Sequence, residues 1–228
     1  MHHNRHHSID LPPCNPDDAD YNEGMNVHSG FASGRTGGVL EAENKHENIL
    51  RAAQKLFAER GYDGTTVPMI AEEAKVGAGT IYRYFENKQK LVNELFRGSV
   101  AQFAATLRDG FPEEKDFREK FRHVFYRLIR YSREQPEAFR FINATVNAYF
   151  LDEQSKSDFE GFMDFIERHL DEGKEAGLLR DLPAQAFIAI VYGTIFHLSR
   201  MFEDGTLEPA DELLAGIEKS CWDAISAG

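Results

Sequence analysis

Between residues 76 and 88 the chain reads V-G-A-G-T-I-Y-R-Y-F-E-N-K. Gly77, Ala78 and Gly79 are three small residues in a row, and Thr80, Tyr82, Arg83, Tyr84 and Lys88 follow them with hydroxyl, guanidinium and ammonium donors. Ile81 and Phe85 are four apart, so on a helix they make one apolar edge and leave the donors spread over the remaining circumference. Thr80, Tyr82, Tyr84 and Lys88 suit phosphate oxygens, and Tyr82 and Arg83 can also touch base edges or a thymine methyl in a major groove. Glycines at the start of the helix leave backbone N–H groups unobstructed, which favours an anion there. This chemistry is nucleic-acid binding rather than catalysis.

The charge distribution agrees once it is resolved by region. The 228 residues carry a net charge of −12, divided as −5 over residues 1–43, +2 over 44–100 and −9 over 101–228. Only the middle region, which holds the donor cluster, is positive, so DNA is a partner for that region and not for the acidic remainder. No G-x-S-x-G, P-loop or paired-metal signature is present, and the chain is expected not to be an enzyme. Cys14 and Cys221 are far apart with no C-x-x-C pair, which argues against a disulfide scaffold or zinc site and fits a reducing, cytoplasmic compartment. His2, His3, His6 and His7 have no completing carboxylate or cysteine cluster, so neither a metal nor a cofactor is expected. No apolar run reaches the roughly 18 residues of a membrane span, and no membrane partner is expected.

The elements that must position the donors follow from periodicity. Residues 1–43, with Pro12, Pro13, Pro16 and a Gly/Ser-rich run, are expected to be a disordered tail or tag. From Lys45, the positions Ile49, Ala52, Ala53, Leu56 and Phe57 make one helical face, which Gly61 ends. Thr65 or Thr66 caps a short second helix with Pro68 in its first turn, a third runs from about Ala78 to Phe85, and Asn87 caps a fourth. Further apolar stripes follow from Phe117, after Pro136, around Phe159–Leu170 ending near Gly177, after Pro183 and after Pro209. The expectation is an all-α fold of about nine helices. A three-helix helix-turn-helix domain over 44–90 is followed by a helical ligand-binding and dimerisation domain over 91–228.

With that pattern in place, residues 65–96, T-T-V-P-M-I-A-E-E-A-K-V-G-A-G-T-I-Y-R-Y-F-E-N-K-Q-K-L-V-N-E-L-F, resemble the DNA-binding domain of the TetR family of bacterial repressors. The resemblance is carried by Thr65, Thr66, Ile70, Ala71, Ala74, Val76, Gly79, Thr80, Tyr82, Tyr84, Phe85, Lys88 and Leu91. The same stretch is similar to the fatty-acid-responsive members that control bacterial cytochrome P450 fatty-acid hydroxylases. The resemblance implies a homodimer whose paired recognition helices enter successive major grooves of operator DNA, about 34 Å apart. It also implies release when a small ligand shifts the fourth helix. The implied DNA-contacting set is Thr66, Gly77, Ala78, Gly79, Thr80, Tyr82, Arg83, Tyr84 and Lys88. Two positions depart from the family pattern: Lys75 replaces a turn glycine, at a cost of roughly 1 kcal/mol if left-handed, and Gly77 replaces a capping serine.

The aromatic residues of the acidic region exceed what a small helical core needs and suggest an apolar cavity, with Phe125, Ile142, Val146, Phe162 and Tyr192 as its expected wall. A lipophilic effector fits, a fatty acid or acyl-CoA, and the alternative is a multidrug-sensing regulator of an efflux operon. Arg127, Arg140 and His197 are candidates for a carboxylate headgroup. Ile188, Val191, Ile195, Leu213, Ile217 and Trp222 on the last two helices are expected to pack against their two-fold copies.

Overall fold

The computed structural model describes residues 36–228, with side chains from Asn44 onward. The tail over 1–35, its four N-terminal histidines and Cys14 lie outside the described residues. Among those described, the chain forms nine helices: α1 Thr36–Arg60, α2 Val67–Glu73, α3 Ala78–Tyr84, α4 Lys88–Arg108, α5 Phe117–Glu134, α6 Pro136–Thr145, α7 Glu153–Glu175, α8 Ala184–Glu203 and α9 Asp211–Ile225. A single isolated bridge, Leu179 to Ser226, is the only β pairing among the described residues. None of these helices is long and apolar enough to cross a membrane.

Helix α1 begins at Thr36, ahead of the tail boundary expected at residue 43. Leu40, Glu41, Ala42 and Glu43 are good helix formers, so the helix extends upstream of its apolar face. Its other end is where expected, at Gly61, whose φ of 70° takes the chain out of the helix. Thr65 is fully buried, and its hydroxyl donates to the Gly61 carbonyl at 2.8 Å and the Leu56 carbonyl at 3.2 Å. Thr66 is therefore the residue left to cap α2, accepting from the Met69 N–H at 3.4 Å.

The turn between α2 and α3 rests on Lys75, the one non-glycine with positive φ (55°) among the described residues. Around it the Val76 N–H bonds the Ala71 carbonyl at 2.9 Å and the Lys75 N–H bonds that of Glu72 at 3.1 Å. These two bonds close a Schellman motif, which holds a lysine in a geometry usually given to glycine. Asn87, Asp116 and Asp152 cap α4, α5 and α7 through the N–H groups of Lys90, Glu119 and Ser155 at 2.9, 2.9 and 3.0 Å.

Ile49, Ala53 and Phe57 of α1, Ile70 and Ala71 of α2, and Ile81 and Phe85 at α3 bury the core of the N-terminal unit. That core is continuous with the rest of the chain. Helix α4 runs from one to the other, packing on α1 at one end and on α5, α6 and α7 along its length. Helix α1 also lies directly on α6, with the rings of Phe57 and Phe141 6.1 Å apart. The expected boundary at 90/91 thus cuts the first turn of α4, which packs on both units.

Candidate functional site

The donor cluster is displayed on and around α3. Ile81 is buried and holds the helix to the core, while Tyr82 is 57% exposed and Arg83 is exposed. Gly77, Ala78 and Gly79 are exposed at the start of the helix, and Gly77 provides no side-chain cap. Thr66 is exposed at the neighbouring cap of α2. Thr80 and Tyr84 are half-buried, with the Tyr84 ring edge-on to His46 at 5.7 Å.

Lys88 departs from the expectation of an outward phosphate donor. Its ammonium donates to the backbone carbonyls of Tyr62 at 2.8 Å and Thr65 at 2.9 Å, and lies 3.9 Å from the centroid of the Tyr62 ring. The loop after α1 leaves those carbonyls outside any helix, and the first turn of α4 brings Lys88 beneath them. The side chain is an internal clamp between α4 and the α1–α2 loop.

The same loop is joined to the segment between α6 and α7. The Tyr62 ring stacks on Phe150 at 3.9 Å, and the Tyr149 hydroxyl donates to Asp63 at 2.9 Å. The Phe150 carbonyl accepts from Gln89 at 3.0 Å and from buried Asn93 at 2.9 Å, while Asn93 Oδ1 accepts from the Asp152 N–H at 2.8 Å. Sequence patterning did not indicate this junction: Phe139, Ile142, Val146 and Tyr149 keep helical spacing, whereas α6 ends at Thr145 and leaves Tyr149 and Phe150 in the connecting segment.

A partly open cavity of about 450 Å³ lies among helices α4 to α9. Its wall includes Phe103 and Leu107 of α4, Phe117, Phe121, Val124 and Leu128 of α5, Ile142 of α6 with Val146 just beyond it, Phe159, Phe162, Phe165, Ile166 and Leu170 of α7, Ile188, Val191 and Tyr192 of α8, and Ile225 of α9. The polar side chains on it are Lys120, Asn143, Asn147, His169 and Gln185, and no carboxylate of the described residues lines it. Burial pushes the Tyr192 phenol well above its ordinary range and that of nearby Tyr131 up to about 12, so both stay neutral. The Tyr131 hydroxyl has no partner among the described residues.

Ile142, Val146, Phe162 and Tyr192 are on the wall as expected, and Phe125 is not. Phe125 is fully buried one helical step from Val124, facing the core where its ring meets Phe121 and Tyr126. The three headgroup candidates also fall away. Arg127 pairs with Asp109 at 2.9 Å, Arg140 pairs with Glu203, and His197 is exposed off the cavity wall. The cation that does reach the wall, Lys120, was visible in the sequence as an interruption of the stripe Phe117, Phe121, Val124, Leu128.

The expected two-fold surface is also revised. Ile195 is wholly buried within its own chain, so it has no surface to offer a partner. Trp222 packs on Phe121 at 5.3 Å and under the Arg118 guanidinium at 4.9 Å, because α9 closes over α5. Ile188 and Val191 face the cavity, and Leu213 and Ile217 remain half-buried along one face of α9.

Residues 49–95 match the profile of bacterial regulatory proteins of the tetR family, and residues 96–227 match that of the tetracyclin repressor-like C-terminal domain. An uncharacterised HTH-type transcriptional regulator of Haemophilus influenzae is 28% identical over 186 residues, covering 78% of this chain and 94% of its own. The fatty acid metabolism regulator protein of Bacillus subtilis is 26% identical over 154 residues, 66% of this chain and 79% of its own. The crystal structure of a TetR family transcription regulator from Marinobacter aquaeolei superposes with a TM-score of 0.75 at 26% identity, covering 82% of this chain and 98% of that one.

Proposed function

The chain belongs to the TetR family of bacterial regulatory proteins, and from that premise we propose that it is a transcriptional repressor that binds operator DNA as a homodimer and is released by a lipophilic effector. The carrying observation is the pairing of two features on one continuous core: an outward helix with Tyr82 and Arg83 exposed, and an apolar cavity with no carboxylate of the described residues on its wall. The first suits a major groove walled by phosphates, and the second suits a ligand that is mostly hydrocarbon.

The DNA contacts are assigned to Thr66, Gly77, Ala78, Gly79, Thr80, Tyr82, Arg83 and Tyr84. The half-buried apolar face of Leu213 and Ile217 on α9 is the proposed start of the two-fold contact. An effector filling the cavity bears on Ile142 and Val146, from which the chain runs directly into Phe150 and its stack on Tyr62. That route leads to the foot of α4 and so to the spacing of the two reading heads.

Similarity to a fatty acid metabolism regulator of Bacillus subtilis supports a fatty acid or its thioester as effector, and the motif resemblance to repressors of cytochrome P450 fatty-acid hydroxylases supports the same class. A multidrug sensor is less favoured, because a cationic drug entering this cavity meets Lys120 and no balancing carboxylate among the described residues. Electrophoretic mobility shift of the protein's own upstream DNA tests the reading. Retardation at low salt that long-chain acids reverse is expected. A fragment that runs free at low salt, where phosphate contacts are strongest, overturns the repressor assignment. Release by cationic drugs alone overturns the fatty-acid one.

A further inference from the structure

The cavity is long and its polar residues are not evenly distributed. Wall residues run from Phe159 to Leu170 on α7 and from Phe117 to Leu128 on α5, a rise of roughly 16 Å along each helix. At one end are Lys120 from the first turn of α5, His169 from the last third of α7 and Gln185 from the first turn of α8. The other end, at Asn143, Val146, Asn147 and Phe159, adjoins the segment that reaches Tyr62.

Lys120 is half-buried and has no side-chain hydrogen bond or ion pair among the described residues. Several charged groups on the adjoining turns are already engaged. Arg118 pairs with Glu218 (Nη2 to Oε2, 2.7 Å), Lys174 pairs with Asp171 at 2.6 Å, and His169 donates through Nδ1 to the Phe165 carbonyl with Glu113 3.9 Å from its other nitrogen. The first turn of α8 has no side-chain cap, so its N–H groups add to the positive potential at this end. The rest of the region is acidic, with a net −9 over residues 101–228. A ligand carrying many negative charges is repelled by that field, whereas a single anion has one partner waiting.

We propose that the effector is a single-tailed amphiphile with one free carboxylate, held at Lys120, with its tail pointing toward α6 and the reading head. This rests on the lipophilic-effector reading and specifies its head, its polarity and its direction. The orientation makes tail length the signal: a tail too short to reach Val146 and Phe159 occupies the site without loading the junction at Phe150. Each added methylene strengthens binding roughly fourfold while wall remains to be covered.

The chain contains one tryptophan, Trp222, and its ring packs on Phe117 and Phe121 at the Lys120 end of the cavity. Its fluorescence therefore reports occupancy where the head is placed. The full-length protein is titrated with a long-chain acid, the alcohol of the same length and the corresponding CoA thioester, each also against Lys120→Gln and Lys120→Arg. The acid is expected to bind the native protein about tenfold more tightly than the alcohol, as one charge-assisted hydrogen bond provides. Lys120→Gln abolishes that advantage, so that acid and alcohol bind the variant equally, and Lys120→Arg keeps it. An acid advantage that survives Lys120→Gln, or a thioester that binds more tightly than the free acid, overturns the head assignment while leaving the lipophilic reading intact. Binding by none of the three removes the lipophilic reading and this proposal with it.

Discussion

Replacing Lys88 with methionine separates two roles that the same residue could have at a protein–DNA boundary. Methionine keeps most of the aliphatic stem and removes the ammonium, which donates to the Tyr62 and Thr65 carbonyls and covers the Tyr62 ring. Two charge-assisted bonds in a half-exposed setting contribute about 1 kcal/mol each, and the cation–π interaction adds about 0.5 kcal/mol. The clamp is therefore worth about 2.5 kcal/mol, which for a chain of this size lowers the melting temperature by about 5–10 °C. Thermal unfolding of both proteins at one fixed protein concentration, with no DNA or ligand, measures the loss without the shifts that binding produces. The salt dependence of operator binding supplies the second readout. Removing a cation that neutralises one phosphate lowers the slope of log K against log salt by about 0.9, whereas removing an internal clamp leaves the slope unchanged. Melting within 1 °C of the native protein, together with a slope reduced by about one, would falsify the clamp and return Lys88 to the DNA.

Tyr82→Ala is expected to leave stability within about 0.5 kcal/mol, since the ring is 57% exposed. Its operator affinity should fall roughly fivefold, because the substitution removes one hydrogen bond of about 1 kcal/mol. Unchanged affinity in a mobility-shift titration would remove Tyr82 from the interface. Ile195→Ala should cost about 2–5 kcal/mol as a core truncation. Native stability with a weakened dimer, seen by ultracentrifugation, would instead place Ile195 at the two-fold contact. Burial holds the His123 imidazole below its ordinary value of 6.5, so the unfolded chain binds its proton first. Stability from this group is complete above about pH 6.5 and declines as the pH falls toward the lower folded value. Urea unfolding between pH 7 and 5 should show that decline, and His123→Gln should flatten it; an identical slope in both proteins would exclude His123 as its source.

Several helix ends were legible because local chemistry decides them: Thr66 and Asn87 cap from within their own turns, and Gly61 and Gly177 have the positive φ that ends a helix. The caps at Asp116 and Asp152 were found only in the structure. Lys75 was readable as left-handed because the helix-turn-helix pattern demands that conformation whatever residue stands there. The cavity was legible as a class of object and in four of its wall residues, since apolar spacing places Ile142, Val146, Phe162 and Tyr192 on inward faces. Phe125 was misplaced because a wide apolar arc on α5 has two inward directions, one to the core and one to the void, and hydrophobicity does not tell them apart. Ile195 was misplaced for a related reason: an apolar helix face announces burial without saying whether its own chain or a copy does the burying.

By itself, then, the sequence determined what depends on neighbours three or four residues away: about nine helices, the caps at Thr66 and Asn87, the left-handed turn at Lys75, and the outward display of Tyr82 and Arg83 against the inward anchors Ile81 and Phe85. The tertiary structure alone decided which long side chains are engaged and which remain available. Lys88, Arg127 and Arg140 are equally plausible donors on paper. The fold brings two carbonyls to the first, Asp109 to the second and Glu203 to the third, and leaves Lys120 on the cavity wall without a partner among the described residues. A long charged side chain has several partners within reach, and only the packing of helices distant in sequence selects among them.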